Sequence, residues 1–286
     1  MFYPIDYGDG SGYGDGYGDG YGYGYGPISP FRRIGPRVKG TEMKTVLVCS
    51  DTHIGDGGPR DDNRDHFEKF VQELCEALDD PNIHKVILLG DMADVWLHGE
   101  KAAQRMAYAI CKAIKGRSER ASKLVYARGN HDNGLRREHE GCSYLEYEYL
   151  EYDEFGIHFL HGNQLDPIPR LWSRVGKGLC KAAAWLGRIS PTLEDTLSGF
   201  ASKAITTGRF DDPGALNVAA ARMAKSHGYR AIVCGHSHRP FDGMIDGIRV
   251  INSGYYPRDR WLRLTMDGDT IRVDREWRKV GVPCSR

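Results

Sequence analysis

Five short apolar runs in this chain each end in a cluster of metal-competent polar residues, and that recurrence constrains the fold more than any other feature. "TVLVCS" runs into Ser50-Asp51-Thr52-His53, "KVILLG" into Gly90-Asp91 with Asp94 close behind, and "KLVYA" into Gly129-Asn130-His131-Asp132. "IHFL" ends in His161-Gly162, and "AIVC" ends in Gly235-His236-Ser237-His238. Apolar runs of this length, bounded by glycine and asparagine, read as buried strands. In α/β sheets the carboxyl ends of strands line the crevice where ligands bind. Five strands delivering such groups to one edge therefore read as a site. A turn at "RGNHDN" needs its glycine but not the histidine and aspartate that follow.

Between these strands the spacing is helical. Residues 64–79 put Phe67, Phe70, Val71, Leu74 and Leu78 on one face, and residues 101–116 predict a second helix. The alternation predicts an α/β layered fold. "EYEYLEYDEFGIHFLHG" predicts a hairpin turning near Glu154-Phe155-Gly156. Residues 168–228 read as mostly helical, and the chain after "RAIVCG" as β-rich, with turns at Asp246-Gly247 and Asp267-Gly268.

The first 42 residues stand apart. Residues 1–26 alternate glycine with tyrosine or aspartate, which predicts a disordered tail outside the main fold. "PISPFRRIGPRVKG" reads as an extended linker. A start at Met43 would leave a complete domain, so the tail is either an appendage or an upstream extension. The expected division is a tail and linker over 1–42 and a main domain over 43–286, with a helical insert at about 167–210.

Acidic and basic residues balance at 39 each, so no stable nucleic-acid partner held by bulk charge is expected. The 7 cysteines are scattered without a C-x-x-C pair. Cys49 and Cys234 fall inside strand-like runs, where a free thiol acts as a small hydrophobe. Reduced thiols in a cytoplasmic protein are the expectation, with no signal peptide and no membrane-spanning run.

Carboxylate, imidazole and amide oxygen without thiolate suit Mn²⁺, Fe²⁺, Zn²⁺ or Ni²⁺, with Mn²⁺ the leading expectation. Asp51 and His53 alternate along a segment read as extended, so both would face one way, and His236 and His238 would do the same. Asp51, His53, Asp91, Asn130, His161, His236 and His238 are too many ligands for one ion. With Asp91 bridging they divide into two four-sided sets, the pattern of a two-metal site about 3.5–4 Å across.

D-x-H, G-D-x-x-D, G-N-H-D, a lone H-G and G-H-x-H, in this order over roughly residues 44–276, resemble the calcineurin-like metallophosphoesterase superfamily. The resemblance implies a four-layer fold, a two-sheet β-sandwich flanked by helices. It implies that Asp51, His53, Asp91 and His238 hold one divalent ion and that Asp91, Asn130, His161 and His236 hold the other. His131 would then protonate the leaving oxygen. "GDMADVW", "HGNQLD", "GHSHRP" and "NSGYY" are similar to the UDP-2,3-diacylglucosamine pyrophosphatase branch. That branch carries arginine where His131 stands and aspartate where Asn163 stands; both departures bear on substrate rather than metals.

The reaction implied is hydrolysis of a phosphoester or pyrophosphate bond by a metal-activated hydroxide, with Asn130 also steadying charge on the substrate oxygens. The substrate would be a phosphorylated small molecule or a lipid-linked one. A nuclease, a non-catalytic metal module and an assembly role for the tyrosine-glycine tail are the rival readings. Asp132 is read as orienting His131 or as forming an Asx turn. Asp94 is read as orienting a ligand, more than as capping the next helix. Arg239 and His98 are candidate substrate contacts. His66, His84, His139, His158 and His227 match no motif and read as ordinary packed or solvated side chains. "PIPRLWSRVGKGLCKAAAWLGRI" mixes apolar and basic residues. It reads either as an amphipathic helix packed on the domain or as a cap over the site, with peripheral membrane contact through residues 168–189. No oligomeric state follows from the sequence.

Overall fold

The structure, a computed structural model, describes residues 43–59, 61–115, 117–132, 156–165 and 213–275, together with short strands between 138 and 152. The tail over 1–42 and the whole of the expected insert at 167–210, with its membrane-contact segment 168–189, lie outside the described residues. The strands are β1 (Lys44–Cys49), β2 (Lys85–Leu89), β3 (Leu124–Ala127), β4 (Glu138–His139), β5 (Cys142–Ser143), β6 (Glu146–Tyr147), β7 (Leu150–Tyr152) and β8 (Ile157–Phe159), then β9 (Ala231–Cys234), β10 (Phe241–Ile245), β11 (Ile248–Asn252), β12 (Leu262–Asp267) and β13 (Thr270–Asp274). The helices are α1 (Phe67–Asp79), α2 (Val95–His98), α3 (Glu100–Ile114), α4 (Ser118–Lys123), α5 (Pro213–Ser226) and α6 (Tyr256–Asp259).

Two main sheets form, in the orders β13-β12-β1-β2-β3-β6 and β10-β11-β9-β8-β7, beside the small β4-β5 pair. In the first sheet β1, β2 and β3 run parallel. In the second, β8, β9 and β11 do. Strand side chains alternate between faces, and the alternation accounts for the layering. Val46, Val48, Ile87, Leu89 and Val125 of the first sheet share one core with Ile157, Phe159, Val233 and Ile251 of the second. The opposite face of the first sheet, through Leu47, Cys49, Val86, Leu88 and Tyr126, packs on Phe70, Leu74, Met106 and Ile110 of α1 and α3. The second sheet covers its far face with Ala220, Ala221 and Ala224 of α5. The order is helix, sheet, sheet, helix. Strands buried on both faces must be apolar nearly throughout, which is why these runs lack polar alternation. Each fully buried aliphatic side chain contributes about 1.5–3 kcal/mol.

The four-layer fold agrees with the expectation, and the β7–β8 hairpin pairs antiparallel as read. Three short helices, α2, α4 and α6, were not expected. The run after Asp94 reads as loop, yet Asp94 accepts a hydrogen bond from the Leu97 N–H at 3.1 Å and caps α2. The others are α4, where "SERASK" carries no helical apolar stripe, and α6, a single turn within the stretch read as β-rich. The last turn falls at Gly268-Asp269, one residue later than expected, because β12 continues through Asp267.

Candidate metal centre

The parallel strands β1, β2, β3, β8 and β9 end at a common edge, and the loops beyond them continue the pairing. Asp51 N–H donates to Gly90 O, His53 N–H to Asp91 O and Ile54 N–H to Met92 O, each at 3.0 Å. The loops after β1 and β2 therefore run as one ribbon past the sheet. On the other sheet Gly235 N–H donates to His161 O at 2.8 Å.

The extended alternation expected for Asp51-His53 and His236-His238 is not how these side chains converge. Asp51, His53, Asp91, His236 and His238 have φ of 54, 43, 52, 66 and 55°, a left-handed conformation shared among the described non-glycine residues only with Asp246 and Arg260. Each such residue costs about 1 kcal/mol or more. The strain falls on the expected ligands. A left-handed backbone at these positions, rather than a continued strand, brings their side chains together at the crevice.

Glycines make the convergence sterically feasible. A Cβ at Gly129 would lie 2.2 Å from Asp91 Oδ1, and one at Gly235 would lie 2.5 Å from Asp51 Oδ2.

Three groups of ligand atoms result, each within 4.8 Å: Asp51, His53 and His238; Asp91, His161 and His236; and His53, Asp91 and His131. The first two draw on both sheets. His53 Nε2 faces His238 Nε2 at 3.0 Å. Asp91 Oδ2 stands 3.1 Å from His161 Nε2 and 3.9 Å from His53 Nε2, between the groups. Its Oδ1 accepts the His131 N–H at 2.8 Å. Asn130 follows Gly129 in the same turn, with Oδ1 buried.

These residues suit cations. Asp51 and Asp91 are 0% and 1% exposed. Among the described residues the basic groups within 4 Å of them are all imidazoles. Buried carboxylates persist when paired or coordinating a metal. The ring of His161 is oriented by a hydrogen bond from Nδ1–H to Leu89 O at 2.9 Å. That leaves Nε2 buried and without a hydrogen bond, facing Asp91. A backbone carbonyl orients metal-binding histidines in this way.

Burial opposes charge on His161, but Asp91 beside it outweighs that and pushes the ring up to about 10. Burial likewise opposes ionisation of Asp91, and His161 and His131 still hold its carboxyl well below the usual range. His53 is lowered to about 4 by burial and by the neighbouring His131. Two buried carboxylates set among imidazole nitrogens are ligand types that suit a cation.

Asp132 does not orient His131. Its carboxylate accepts the N–H groups of Asp91 at 2.8 Å, Ala93 at 3.0 Å and Gly129 at 2.8 Å. It is fully buried, and burial followed by the nearby Asp91 raises it to about 6. Oδ2 is shared by Gly129 and Asp91 and Oδ1 goes to Ala93, which ties the β2 loop to the β3 loop. Asp94 takes the orienting role, with Oδ1 at 3.1 Å from His131 Nδ1. Burial opposes charge on His131, but Asp91 and Asp94 outweigh it and raise the ring above the ordinary histidine value.

His98 turns away, its Nδ1 3.3 Å from Asp56 Oδ1. Arg239 is exposed beside His238, with its N–H donated to Ser237 Oγ at 3.4 Å. Three contributors carried no residue-level signal. Trp96 stacks on His131 with ring centroids 4.0 Å apart, Tyr255 stacks on His238 at 4.9 Å, and Asn63 Nδ2–H donates to His53 O at 3.2 Å. Trp96 and Tyr255 fall in stretches noted for resemblance alone; nothing marks Asn63.

Two buried carboxylates and a cluster of imidazoles at the edge of a β-sandwich are the ligand set of a metal-binding protein. The chain belongs to the calcineurin-like phosphoesterase family, which it matches over residues 44–240. It is a phosphoester-hydrolysing enzyme, and the family implies divalent metal ions. A UDP-2,3-diacylglucosamine hydrolase of Pseudomonas entomophila is 23% identical over 232 residues, covering 76% of this chain and 92% of that protein. Among solved structures, a conserved Streptococcus pneumoniae protein described as a predicted phosphoesterase is similar at 15% identity and a TM-score of 0.39, covering 82% of this chain and 90% of that one. Vacuolar Protein Sorting 29 of Cryptosporidium parvum is similar at 15% identity and a TM-score of 0.42, with coverage of 81% and 96%. No helix among the described residues is long and apolar enough to cross a membrane.

Proposed function

We propose that the enzyme is dinuclear, with one ion held by Asp51, His53, Asp91 and His238 and the other by Asp91, Asn130, His161 and His236, and with Mn²⁺ as the preferred metal. The observation carrying this reading is Asp91 Oδ2, aimed between the two groups at 3.1 Å from His161 and 3.9 Å from His53. When bound, two such ions would lower the pKa of a water and offset charge on the phosphoryl oxygens. The chain supplies the rest. Asp94 accepts from His131 Nδ1, which leaves Nε2–H as the proton donor to the leaving oxygen. Trp96, stacked on the same ring, fixes its plane. Asn130 and the exposed Arg239 are assigned to substrate oxygens. His98, engaged with Asp56, is a weaker candidate for that role. Asp132 holds the two loops together and takes no proton.

The substrate class is a phosphoester or pyrophosphate. The Pseudomonas entomophila relative supports a pyrophosphate-linked nucleotide-sugar lipid as a second, narrower reading, against which His131 in place of arginine weighs. Catalysis is assigned to residues 43–286, with 1–42 as an appendage. Metal content and turnover on aryl phosphate mono- and diesters and on UDP-2,3-diacylglucosamine, compared between the native protein and Asp91→Asn, test both readings. Two ions in the native protein and neither ion nor turnover in Asp91→Asn are expected. One ion in the native protein would sink the dinuclear reading.

A further inference from the structure

His238 is the ligand candidate in greatest need of support. Its side chain is 44% exposed, against 11% for His53 and 0% for Asp51 and His161. An imidazole at the surface has a broad χ2 and no intrinsic reason to keep its ring plane. Tyr255 supplies one. Its ring lies on that of His238 at 4.9 Å and 16°, and it stands 6.3 Å from the ring of His53.

The tyrosine hydroxyl reaches further. It donates to Asn63 Oδ1 at 3.1 Å, while the same carboxamide donates through Nδ2 to His53 O at 3.2 Å. Asn63 is only 8% exposed. Tyr255 N–H is in turn fixed by Asp259 Oδ2 at 2.8 Å. One side chain thus bears on both imidazoles whose Nε2 atoms face each other at 3.0 Å. The other pair of rings, His161 and His236, meets edge to face at 5.1 Å, outside this clamp.

We propose that Tyr255 is a positioning residue for one metal position alone: its ring sets the plane of His238, and its hydroxyl, through Asn63, holds the backbone of His53. This rests on the two-ion reading above. It touches neither substrate nor the reacting atoms; it acts through the ligands.

Calorimetric Mn²⁺ titration of the full chain, with thermal unfolding of the metal-free protein, compares wild type with Tyr255→Leu, Tyr255→Phe and Asn63→Ala. Wild type is expected to take up two ions. Tyr255→Leu should hold one at wild-type affinity and the other about 10–100-fold more weakly, the cost typical of losing a group that orients a ligand. Tyr255→Phe and Asn63→Ala keep the stack and cut only the link to His53, so each should show a smaller loss at that same ion. Metal-free unfolding temperatures should stay together, which a merely structural role would not give.

Unchanged affinity for both ions in all three variants overturns the proposal while leaving the dinuclear reading standing. Equal weakening of both ions also overturns it. A single ion in wild type removes the dinuclear reading and this inference with it. If Tyr255→Leu fails to fold, the other two variants decide.

Discussion

Asp94 Oδ1 lies 3.1 Å from His131 Nδ1 and also accepts the Leu97 N–H at 3.1 Å, so one oxygen both starts a helix and orients an imidazole. The ring is pinned from a second side by Trp96. The imidazole is thereby fixed to the sheet edge from two sides.

If His131 is the acid and not a ligand, His131→Ala should keep its metal content and lose about 10²–10⁴ in kcat on substrates with poor leaving groups. The loss should be far smaller with p-nitrophenolate. Asp94→Asn still caps α2 through its amide oxygen and should fall the same way by a lesser factor. Metal analysis alongside steady-state rates separates the roles, because loss of metal in His131→Ala would move that residue into the ligand set.

Chelation should abolish turnover and lower the unfolding temperature, with Mn²⁺ restoring both. A ligand at about 100 times its Kd stabilises the native state by about 2.7 kcal/mol. Differential scanning calorimetry with and without EDTA measures the shift, and an unchanged Tm would mean that no ion is held by the folded state.

Gly129→Ala would place a methyl group 2.3 Å from Asp91 N and 2.2 Å from its Oδ1. Backbone there cannot yield without moving Asp91. The variant should lose metal and, as overpacked sites do, about 1–3 kcal/mol of stability. Denaturant titration and metal analysis check it; full metal occupancy would show that the loop relaxes more than its contacts suggest.

Burial pushes the Cys234 thiol up to about 12, against a lowering hydrogen bond from Asn252. A folded pKa above the unfolded one contributes stability that is present below the unfolded value, about 8.5, and is lost as pH rises toward the folded value. Stability should therefore decline from about pH 8.5 upward. The decline should be shallower in Cys234→Ser, as read by urea unfolding across the alkaline range. Identical slopes would mean that this thiol does not couple to folding.

The layering was legible in the sequence because strands buried on both faces leave uninterrupted apolar runs, as in "TVLVC" and "AIVC". The cluster of candidate ligands was legible because each stands directly after such a run. The route by which Asp51, His53, His236 and His238 converge was not, since a left-handed φ on a non-glycine residue leaves no mark in residue type. Asp132 left two readings open, partner of His131 or turn residue, because residue type does not tell which groups its carboxylate meets; it meets three backbone N–H groups. Asn63 and Tyr255, 192 positions apart, meet through the fold alone, and no local spacing could announce them.

Each of the first two ligand groups takes donors from both sheets of the sandwich. Cations seated there would act as rivets across the seam between layers that are otherwise joined by apolar packing. Metal supply would then govern how readily the two sheets breathe apart, so a starved enzyme would be loosened at its centre as well as idle at its crest.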